Sequence, residues 1–151
     1  MATWDEFRAA DPDFAALCEE RVDGVGLVLV GTLRRNGWPR ISPVEPLIND
    51  GSLYLGMMWQ SKKALDLLSD ARCVVHSTVT DKSGTEGDVK IYGRVVDIVD
   101  SDERERYAVA LYARIAWRPE GDFHLFAVDI NEVGYFRVVG DGHEVRHWRA
   151  P

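Results

Sequence analysis

The amino-acid sequence predicts a mainly β protein, an antiparallel barrel with a few peripheral helices. Two observations favour this fold class. A series of β-rich segments fills most of the chain, and tight-turn sequences such as Asn36-Gly37 and Asp50-Gly51 join many of them. A doubly wound parallel sheet would need a helix between most successive strands, whereas only two longer helical segments separate the strands here.

Length and composition point to a single domain over residues 1–151. Apolar residues make up 46% of the chain, enough for a core, and no apolar run approaches the ~20 residues of a membrane-spanning helix. The net charge of −7 repels nucleic acid and anionic membranes, so we expect neither as a partner. Because no signal peptide opens the chain, we expect a cytoplasmic protein with Cys18 and Cys73 as buried thiols.

The N-terminal half is predicted to contain two short helices, a group of strands and a third helix. The first helix begins at Thr3, and the second begins where Asp11 precedes Pro12. The strands are predicted at residues 25–33, 38–47 and 52–57. The third helix begins after Ser61, and its predicted buried face carries Ala64, Leu65 and Leu68.

The C-terminal half is predicted to continue the antiparallel pattern around one long helix. Asp100 and Glu103 form the capping sequence of that helix, which ends near Ile115. The remaining β-rich segments lie at residues 72–79, 88–99, 123–130, 133–139 and 143–148.

Three prolines, Pro39, Pro43 and Pro46, interrupt the segment 38–47. Proline has no N–H to donate to a sheet ladder. Part of this segment therefore has to be an edge, a bulge, or a surface that faces a ligand or another subunit.

The segment Ser61-Lys62-Lys63-Ala64 is the clearest indication of a ligand site. Two lysines in the first turn of a helix oppose the helix dipole, which favours negative charge at that end. A bound phosphate would make this arrangement favourable, because its negative charge would meet free backbone N–H groups, a hydroxyl and two ammonium groups. The alternative is that both lysines are merely solvated.

A second candidate group lies on the proline-interrupted strand. Arg40 and Ser42 point to the same side of that strand by its two-residue period. If the strand meets the loop after the third strand, then Arg40, Lys62 and Lys63 form one anion clamp in an otherwise acidic protein.

The side chains around this clamp have two interpretations each. Arg34 and Arg35 flank a hairpin turn, and a solvated hairpin tip is the favoured interpretation for them. Met57, Met58 and Trp59 either lie against a flat aromatic ligand or belong to the core.

Three motifs resemble a known family when they are taken in order. They are Gly37-Trp38-Pro39-Arg40, Ser61-Lys62-Lys63-Ala64 and the later segment from Gly87 to Val95. Over roughly residues 12 to 148 the sequence resembles the pyridoxamine 5′-phosphate oxidase-like, FMN-binding split barrels. The resemblance implies an antiparallel six- or seven-stranded split β-barrel of FMN-binding type, a homodimer, and cofactor sites at the dimer interface.

The resemblance also implies roles for individual residues. Arg40 would bind the cofactor phosphate or ribityl chain. The remaining cofactor-binding positions would be Ser61, Lys62 and Lys63 at the phosphate and Ile41, Ser42, Met57 and Met58 at the ring. The resulting hypothesis is a flavin (FMN) or deazaflavin-dependent oxidoreductase that transfers a hydride to or from a small organic substrate.

No catalytic residue can be assigned, because in such a protein the cofactor carries the redox chemistry. Candidates for a proton donor are Tyr92, Tyr112, Trp117 and His124, although a structural role is favoured for each.

Departures from the family pattern bear on the activity. Glu45 stands where a lysine is expected and Asp88 where a glutamine is expected, and the Arg-x-His segment that holds pyridoxal phosphate is not evident. These differences argue against vitamin B6 oxidation and leave cofactor binding in place. The small size and the ending near Trp148 resemble the family's actinobacterial branch, some of whose members use an 8-hydroxy-5-deazaflavin coenzyme instead of FMN.

Other functions remain open. One is a non-catalytic flavin or deazaflavin carrier or sensor, and another is a haem-binding split-barrel protein with His76 or His124 as iron ligand. The segment His143 to His147 also spells the HExxH motif of zinc proteases. It follows a Gly-Asp-Gly turn and is predicted to be a strand, on which the two histidines lie ~13 Å apart and cannot bind one metal ion.

Overall fold

A computed structural model describes residues 1–151. The helices are α1 (Trp4–Ala10), α2 (Pro12–Asp23), α3 (Lys62–Ser69) and α4 (Ser101–Ile115). The strands are β1 (Val28–Leu33), β2 (Pro39–Val44), β3 (Pro46–Asn49), β4 (Ser52–Met58), β5 (Arg72–Ser77), β6 (Asp88–Asp97), β7 (Phe123–Val139) and β8 (Gly142–Arg149). None of the four helices combines the length and the apolar character that crossing a membrane would require.

All eight strands belong to one antiparallel sheet with the order β2-β1-β5-β6-β7-β4-β3, and β8 pairs with the C-terminal half of β7. β2 and β3 follow one another in the chain, separated only by Glu45, yet they lie at opposite ends of this order. The chain therefore joins the two edges of the sheet across the seam of a split barrel. The predicted class, mainly β and antiparallel with peripheral helices, is confirmed.

Two apolar clusters hold the helices on the sheet. The larger one fills the barrel and contains Trp4, Phe7 and Phe14 from α1 and α2. A smaller cluster, which includes Tyr54 and Tyr107, packs α4 against the edge formed by β3 and β4. The helix α4 thus has its own contact surface outside the barrel interior.

The two cysteines are buried free thiols, as predicted. Burial raises the pKa of Cys18 and of Cys73 to about 12. Both side chains therefore remain protonated at neutral pH.

The strand boundaries correct the predictions in three places, and the strand number is eight rather than six or seven. The segment 38–47 divides at Glu45, because the residues before Glu45 pair with β1 and those after it pair with β4 at the other end of the sheet. The segments 123–130 and 133–139 form the single 17-residue strand β7, with only a register shift opposite Tyr92 and Gly93. The first strand begins at Val28 instead of Val25, since Gly26 has φ +79°.

The buried face of α3 also differs from the prediction. Ala64, Asp66 and Leu67 are buried, whereas Leu65 and Leu68 are 41% and 49% exposed. The helix turns a carboxylate inward because that carboxylate finds partners on β1 and β2, described below.

Candidate functional site around the start of helix α3

The first turn of α3 has backbone donors that no side chain satisfies. Ser61 occupies the N-cap position, but its hydroxyl makes no hydrogen bond to the turn. The other three helices all have a side-chain cap and acidic residues in the first turn, and α3 has neither. The Oγ of Ser61 is itself buried without a hydrogen-bond partner. This helix end therefore presents free donors and two lysines and no compensating anion.

The loop that leads into α3 is fixed by His124 on β7. The backbone N–H of Gln60 donates to Nε2 of His124 at 3.1 Å, and Gln60 has φ +58°. The indole of Trp59 stacks on the imidazole with the ring centroids 4.5 Å apart. The position of the first turn of α3 is thus tied to the sheet.

A basic pocket of about 350 Å³ opens on one side of this turn. It is bounded by the β1–β2 hairpin and α3, and its lining residues are Arg34, Arg35, Asn36, Arg40, Lys62, Leu65 and Asp66. Arg40 and Lys62, two of the three cations of the predicted clamp, therefore border one pocket. Arg34 and Arg35 are exposed at the hairpin, as predicted, but they also border the same pocket.

Asp66 orients the arginine of this pocket. Its Oδ2 accepts hydrogen bonds from Nε of Arg40 at 2.7 Å and from Oγ1 of the buried Thr32 at 2.8 Å. The two terminal nitrogens of Arg40 have no protein partner, and the guanidinium borders the pocket. A charge-assisted hydrogen bond of this kind holds the guanidinium in one orientation and leaves its terminal donors for an anion.

An apolar pocket of about 450 Å³ opens on the other side of the same turn. Its apolar lining residues are Leu27, Pro43, Val44, Met57, Met58, Trp59, Tyr107, Leu111, Trp117, Pro119 and Phe123, and its other lining residues are Glu45, Gly56, Lys63, Glu120 and Asp122. Lys63 thus faces this pocket, together with Met57 and Met58, and is separated from Arg40 and Lys62.

The far wall of the apolar pocket is the segment 117–123, which follows α4. Two hydrogen bonds from Arg118 to Glu105, of 3.1 and 2.6 Å, hold the start of this segment on α4. Arg104 holds its end, since Nη2 donates to the carbonyl oxygen of Phe123 at 2.6 Å. The wall is therefore anchored at both ends.

Strand β2 runs past both pockets. Arg40 reaches the basic pocket and Val44 the apolar one, and four residues of strand separate them by ~13 Å. Ser42 lies between them on the same side and is half-buried, whereas Ile41 is on the opposite side and 71% exposed. An elongated ligand with an anionic end and an apolar end would fit along this strand.

The remaining candidate residues lie elsewhere. Of the four proposed proton donors, Trp117 lines a pocket and Tyr92, Tyr112 and His124 line neither. His76 also lines neither pocket, and its Nδ1 lies 2.6 Å from the carbonyl oxygen of Ser77.

Two departures noted in the sequence can be located as well. Glu45 borders the apolar pocket, and Asp88 accepts a hydrogen bond from Nζ of Lys90 at 2.6 Å. The HExxH segment forms part of β8, as predicted.

Two of the residues that shape these pockets did not emerge from the sequence. Asp66 was missed because the sequence pattern assigned Leu65 and Leu68 to the buried face of α3, which puts Asp66 on the exposed face. Tyr107 was missed because it reads as one more apolar residue of α4. An inward-facing acid on a short helix beside an arginine-bearing strand is the signal that identifies Asp66.

Solved structures with the same fold come from several bacteria. A Clostridium acetobutylicum protein related to general stress protein 26, of the pyridoxinephosphate oxidase family, is 19% identical with a TM-score of 0.67, over 92% of this chain and 96% of that one. A haem-binding protein from Mycobacterium smegmatis is 18% identical with a TM-score of 0.67, over 89% of this chain and only 57% of the longer mycobacterial chain. The haem storage protein HutZ from Vibrio cholerae is 14% identical with a TM-score of 0.65, over 84% of this chain and 93% of that one.

At such identities the structures establish a shared fold and no shared ligand. No protein of curated function matches this sequence. Residues 14–137, however, match the family described as pyridoxamine 5′-phosphate oxidase. Together with the split barrel, this match over most of the chain assigns the protein to the pyridoxamine 5′-phosphate oxidase family.

Proposed function

We propose that this protein is an FMN- or deazaflavin-dependent oxidoreductase that binds its cofactor across the start of α3 and transfers a hydride to or from a small organic substrate. One observation carries the proposal. In a protein of net charge −7, four cationic side chains surround a single pocket beside a helix end whose donors are free.

The basic pocket suits the phosphate of such a cofactor. Arg34, Arg35, Arg40 and Lys62 face one carboxylate, that of Asp66, which Arg40 and Thr32 already engage. A phosphate here would accept hydrogen bonds from the terminal nitrogens of Arg40 and from the first turn of α3. The unpartnered hydroxyl of Ser61 is buried beside this turn and lines neither pocket, so its side chain would have to rotate to donate to the phosphate.

The apolar pocket suits the ring system. Met57 and Met58 line it at the end of β4, and β2 with Ile41 and Ser42 connects it to the basic pocket. When bound, the cofactor would supply the hydride chemistry. The chain would bind the phosphate, orient the ring and exclude water, with Lys63 as the one cation at the apolar pocket.

A homodimer is part of the proposal. Trp38, Ile41 and Met58, all next to the two pockets, are 69%, 71% and 77% exposed. Large apolar side chains exposed beside a ligand site are typical of an interface. A second copy would cover these side chains and enclose the cofactor, and sedimentation of the purified protein with and without FMN measures whether it does.

The test of the cofactor site is a comparison of FMN with riboflavin, which lacks the phosphate. Replacing Lys62 and Lys63 with alanine is expected to weaken FMN binding about tenfold or more, with a smaller loss at high salt because the attraction is partly screened. Lys62→Ala alone should change riboflavin binding little, whereas the double variant also removes Lys63 from the apolar pocket. Lys82→Ala removes an exposed lysine from the 80–87 loop and serves as the control.

Calorimetric titration of each variant gives these affinities directly. Unchanged FMN affinity in the double variant at low salt would overturn the phosphate site. Equal losses for FMN and riboflavin in Lys62→Ala would mean that Lys62 acts on something other than the phosphate.

The choice between FMN and a deazaflavin rests on the resemblance to the actinobacterial branch. A purified protein that carries the two-band absorbance of a flavin supports FMN. A colourless protein that binds added 8-hydroxy-5-deazaflavin coenzyme and ignores FMN supports the deazaflavin. The phosphate-bearing end of either cofactor would use the same basic pocket.

A non-catalytic carrier or sensor is the alternative within the same binding chemistry. Rapid mixing of the reduced cofactor complex with a broad panel of acceptors separates the two functions. Oxidation of the bound cofactor by an acceptor supports the enzyme, and turnover with none supports the carrier.

Haem binding is a second candidate function, favoured by the two haem-associated proteins among the structural relatives. The cations of the basic pocket could hold the propionates; because no histidine lines either pocket, Met57 or Met58 would serve as the iron ligand from the apolar pocket. A Soret band after titration with haemin, lost in the Met57→Leu or Met58→Leu variant, would support this function.

A further inference from the structure

The apolar pocket is lined by a tyrosine hydroxyl that makes no hydrogen bond within the protein. Tyr107 lines this pocket and is only 4% exposed, and its hydroxyl takes part in no hydrogen bond. Its neighbour Tyr54 is equally buried, but the Tyr54 hydroxyl donates to Glu103 at 2.7 Å. The oxygen of Tyr107 is not sealed from solvent, so the hydroxyl is open to the pocket and its O–H is free to donate to a ligand there.

The position of the Tyr107 hydroxyl is fixed from three sides. The ring packs edge-on against Tyr54, with centroids 5.7 Å apart, and is stacked with Phe123 at 6.1 Å. The hydroxyl lies directly against Gly56 of β4, where an added Cβ would come within 2.2 Å of it. Only a glycine leaves room for this phenol, which therefore points its O–H along the wall of the pocket.

The hydroxyl acts as a donor at neutral pH. Burial, and secondarily the negative charge of Glu45, raises the pKa of Tyr107 to about 12. The phenol is thus fully protonated and offers its proton to an acceptor atom.

The charges at the rim restrict the ligand further. Glu45, Glu120 and Asp122 border the pocket, and Lys63 is the only cation there. This excess of negative charge disfavours anionic ligands. The walls themselves, including Met57, Trp59 and Trp117, are apolar and partly aromatic.

We propose that Tyr107 donates a hydrogen bond to a carbonyl oxygen or ring nitrogen of an uncharged planar aromatic ligand held in the apolar pocket. This ligand is either the ring of the cofactor or a separate substrate molecule with the same chemistry. The inference rests on the proposed function only for the first of these two sources. The proposed function thereby gains a specific hydrogen-bond donor, Tyr107, and a class of ligand, namely neutral rings such as quinones.

The experiment measures binding of three neutral or anionic probes to the full-length protein by calorimetry. The probes are riboflavin, a neutral naphthoquinone, and the same quinone carrying a sulfonate group. The key variant is Tyr107→Phe, which removes only the donor, and the matched control is Tyr54→Phe, which removes the hydroxyl that points to Glu103.

We expect Tyr107→Phe to weaken the neutral probe that uses this donor by about three- to tenfold, and Tyr54→Phe to change its affinity less than about twofold. The sulfonated quinone should bind more weakly than its neutral parent, and Glu45→Gln should narrow that difference. The melting temperature of Tyr107→Phe should be unchanged or higher, because no native hydrogen bond is lost.

The pattern of losses separates the two sources. A loss for riboflavin alone assigns the acceptor to the cofactor ring, whereas a loss for the quinone in FMN-saturated protein assigns it to a substrate. Wild-type affinity of Tyr107→Phe for every probe, or no binding of any neutral probe to the wild type, overturns the inference. If the Lys62 and Lys63 variants leave FMN binding unchanged while Tyr107→Phe still weakens binding of the quinone, the phosphate site is refuted and the role of Tyr107 is supported.

Discussion

Helices α3 and α4 begin in opposite ways. In α4, the carboxylate of Asp100 caps the N–H of Glu103 at 2.8 Å, and Glu103 in turn accepts the hydrogen bond of Tyr54. In α3, Ser61 caps nothing and lysines occupy the first turn. The start of α4 is thus satisfied within the protein, whereas the start of α3 leaves its donors and its positive charge available to a ligand.

The stabilising contacts of α3 lie in its second turn instead. Asp66 ties the helix to Arg40 and Thr32, which belong to β2 and β1. Helix α3 is therefore anchored by its interior-facing acid, and its first turn stays free for binding. Four predictions test this division, from the largest expected effect to the smallest.

Replacing Asp66 with alanine is expected to lower the free energy of unfolding by about 3 kcal/mol, because the buried hydroxyl of Thr32 and the guanidinium of Arg40 both lose their acceptor. Asp66→Asn retains one acceptor oxygen and should cost less. Urea denaturation of both variants measures the difference. A loss below about 1 kcal/mol for alanine would mean that α3 is anchored elsewhere.

Removing the two N-cap side chains should have unequal effects. Asp100→Ala is expected to cost about 1 kcal/mol, the usual value for a working cap. Ser61→Ala should cost nothing measurable in the ligand-free protein, since its hydroxyl makes no hydrogen bond. Equal losses in thermal or urea unfolding would contradict the contrast between the two helices.

Reversing the charge at Lys62 should have opposite effects on the stability of the ligand-free protein and on FMN binding. Lys62→Glu is expected to stabilise the ligand-free protein by about 0.3–1 kcal/mol at low salt, because a negative charge suits the helix dipole. Addition of FMN should raise the melting temperature of the wild type and not that of the variant. If FMN raises both melting temperatures equally, the first turn of α3 does not bind the anion.

The stability that Tyr54 contributes at the start of α4 should fall in alkali and should not change with pH near neutrality. Burial, followed by the hydrogen bond to Glu103, raises the pKa of Tyr54 from 10.0 to about 12. Since the folded protein holds this proton more tightly than the unfolded chain, the contribution is complete below pH 10 and is lost as the pH rises towards 12. Between pH 10 and 12 the free energy of unfolding of Tyr54→Phe should therefore fall less steeply with pH than that of the wild type. Parallel pH dependences in the two proteins would refute the assignment.

Local signals predicted most of the fold. The Asn36-Gly37 turn and the cap at Asp100 depend on neighbouring residues only, and both appear where expected. The division of strand 38–47 at Glu45 was beyond such reasoning, because it depends on which strands the two halves join across the barrel.

The site was predictable in the same measure. The charge pattern identified Arg40 and Lys62, which share a pocket, but successive helical residues point ~100° apart and Lys63 faces the other pocket. Asp66 is recognised only through Arg40, 26 residues away in the chain. Tyr107 stands out only once the fold places its hydroxyl against Gly56 without a partner.

The junction at Glu45 has a mechanical consequence. A backbone cut there would leave every pair of strands intact and yet release the two free edges of the sheet from each other. Pro43, Val44 and Glu45 also form a wall of the apolar pocket, across from Met57 on the other edge. A ligand bound there would contact both edges of the sheet, and amide exchange along β2 and β3 would slow when it binds.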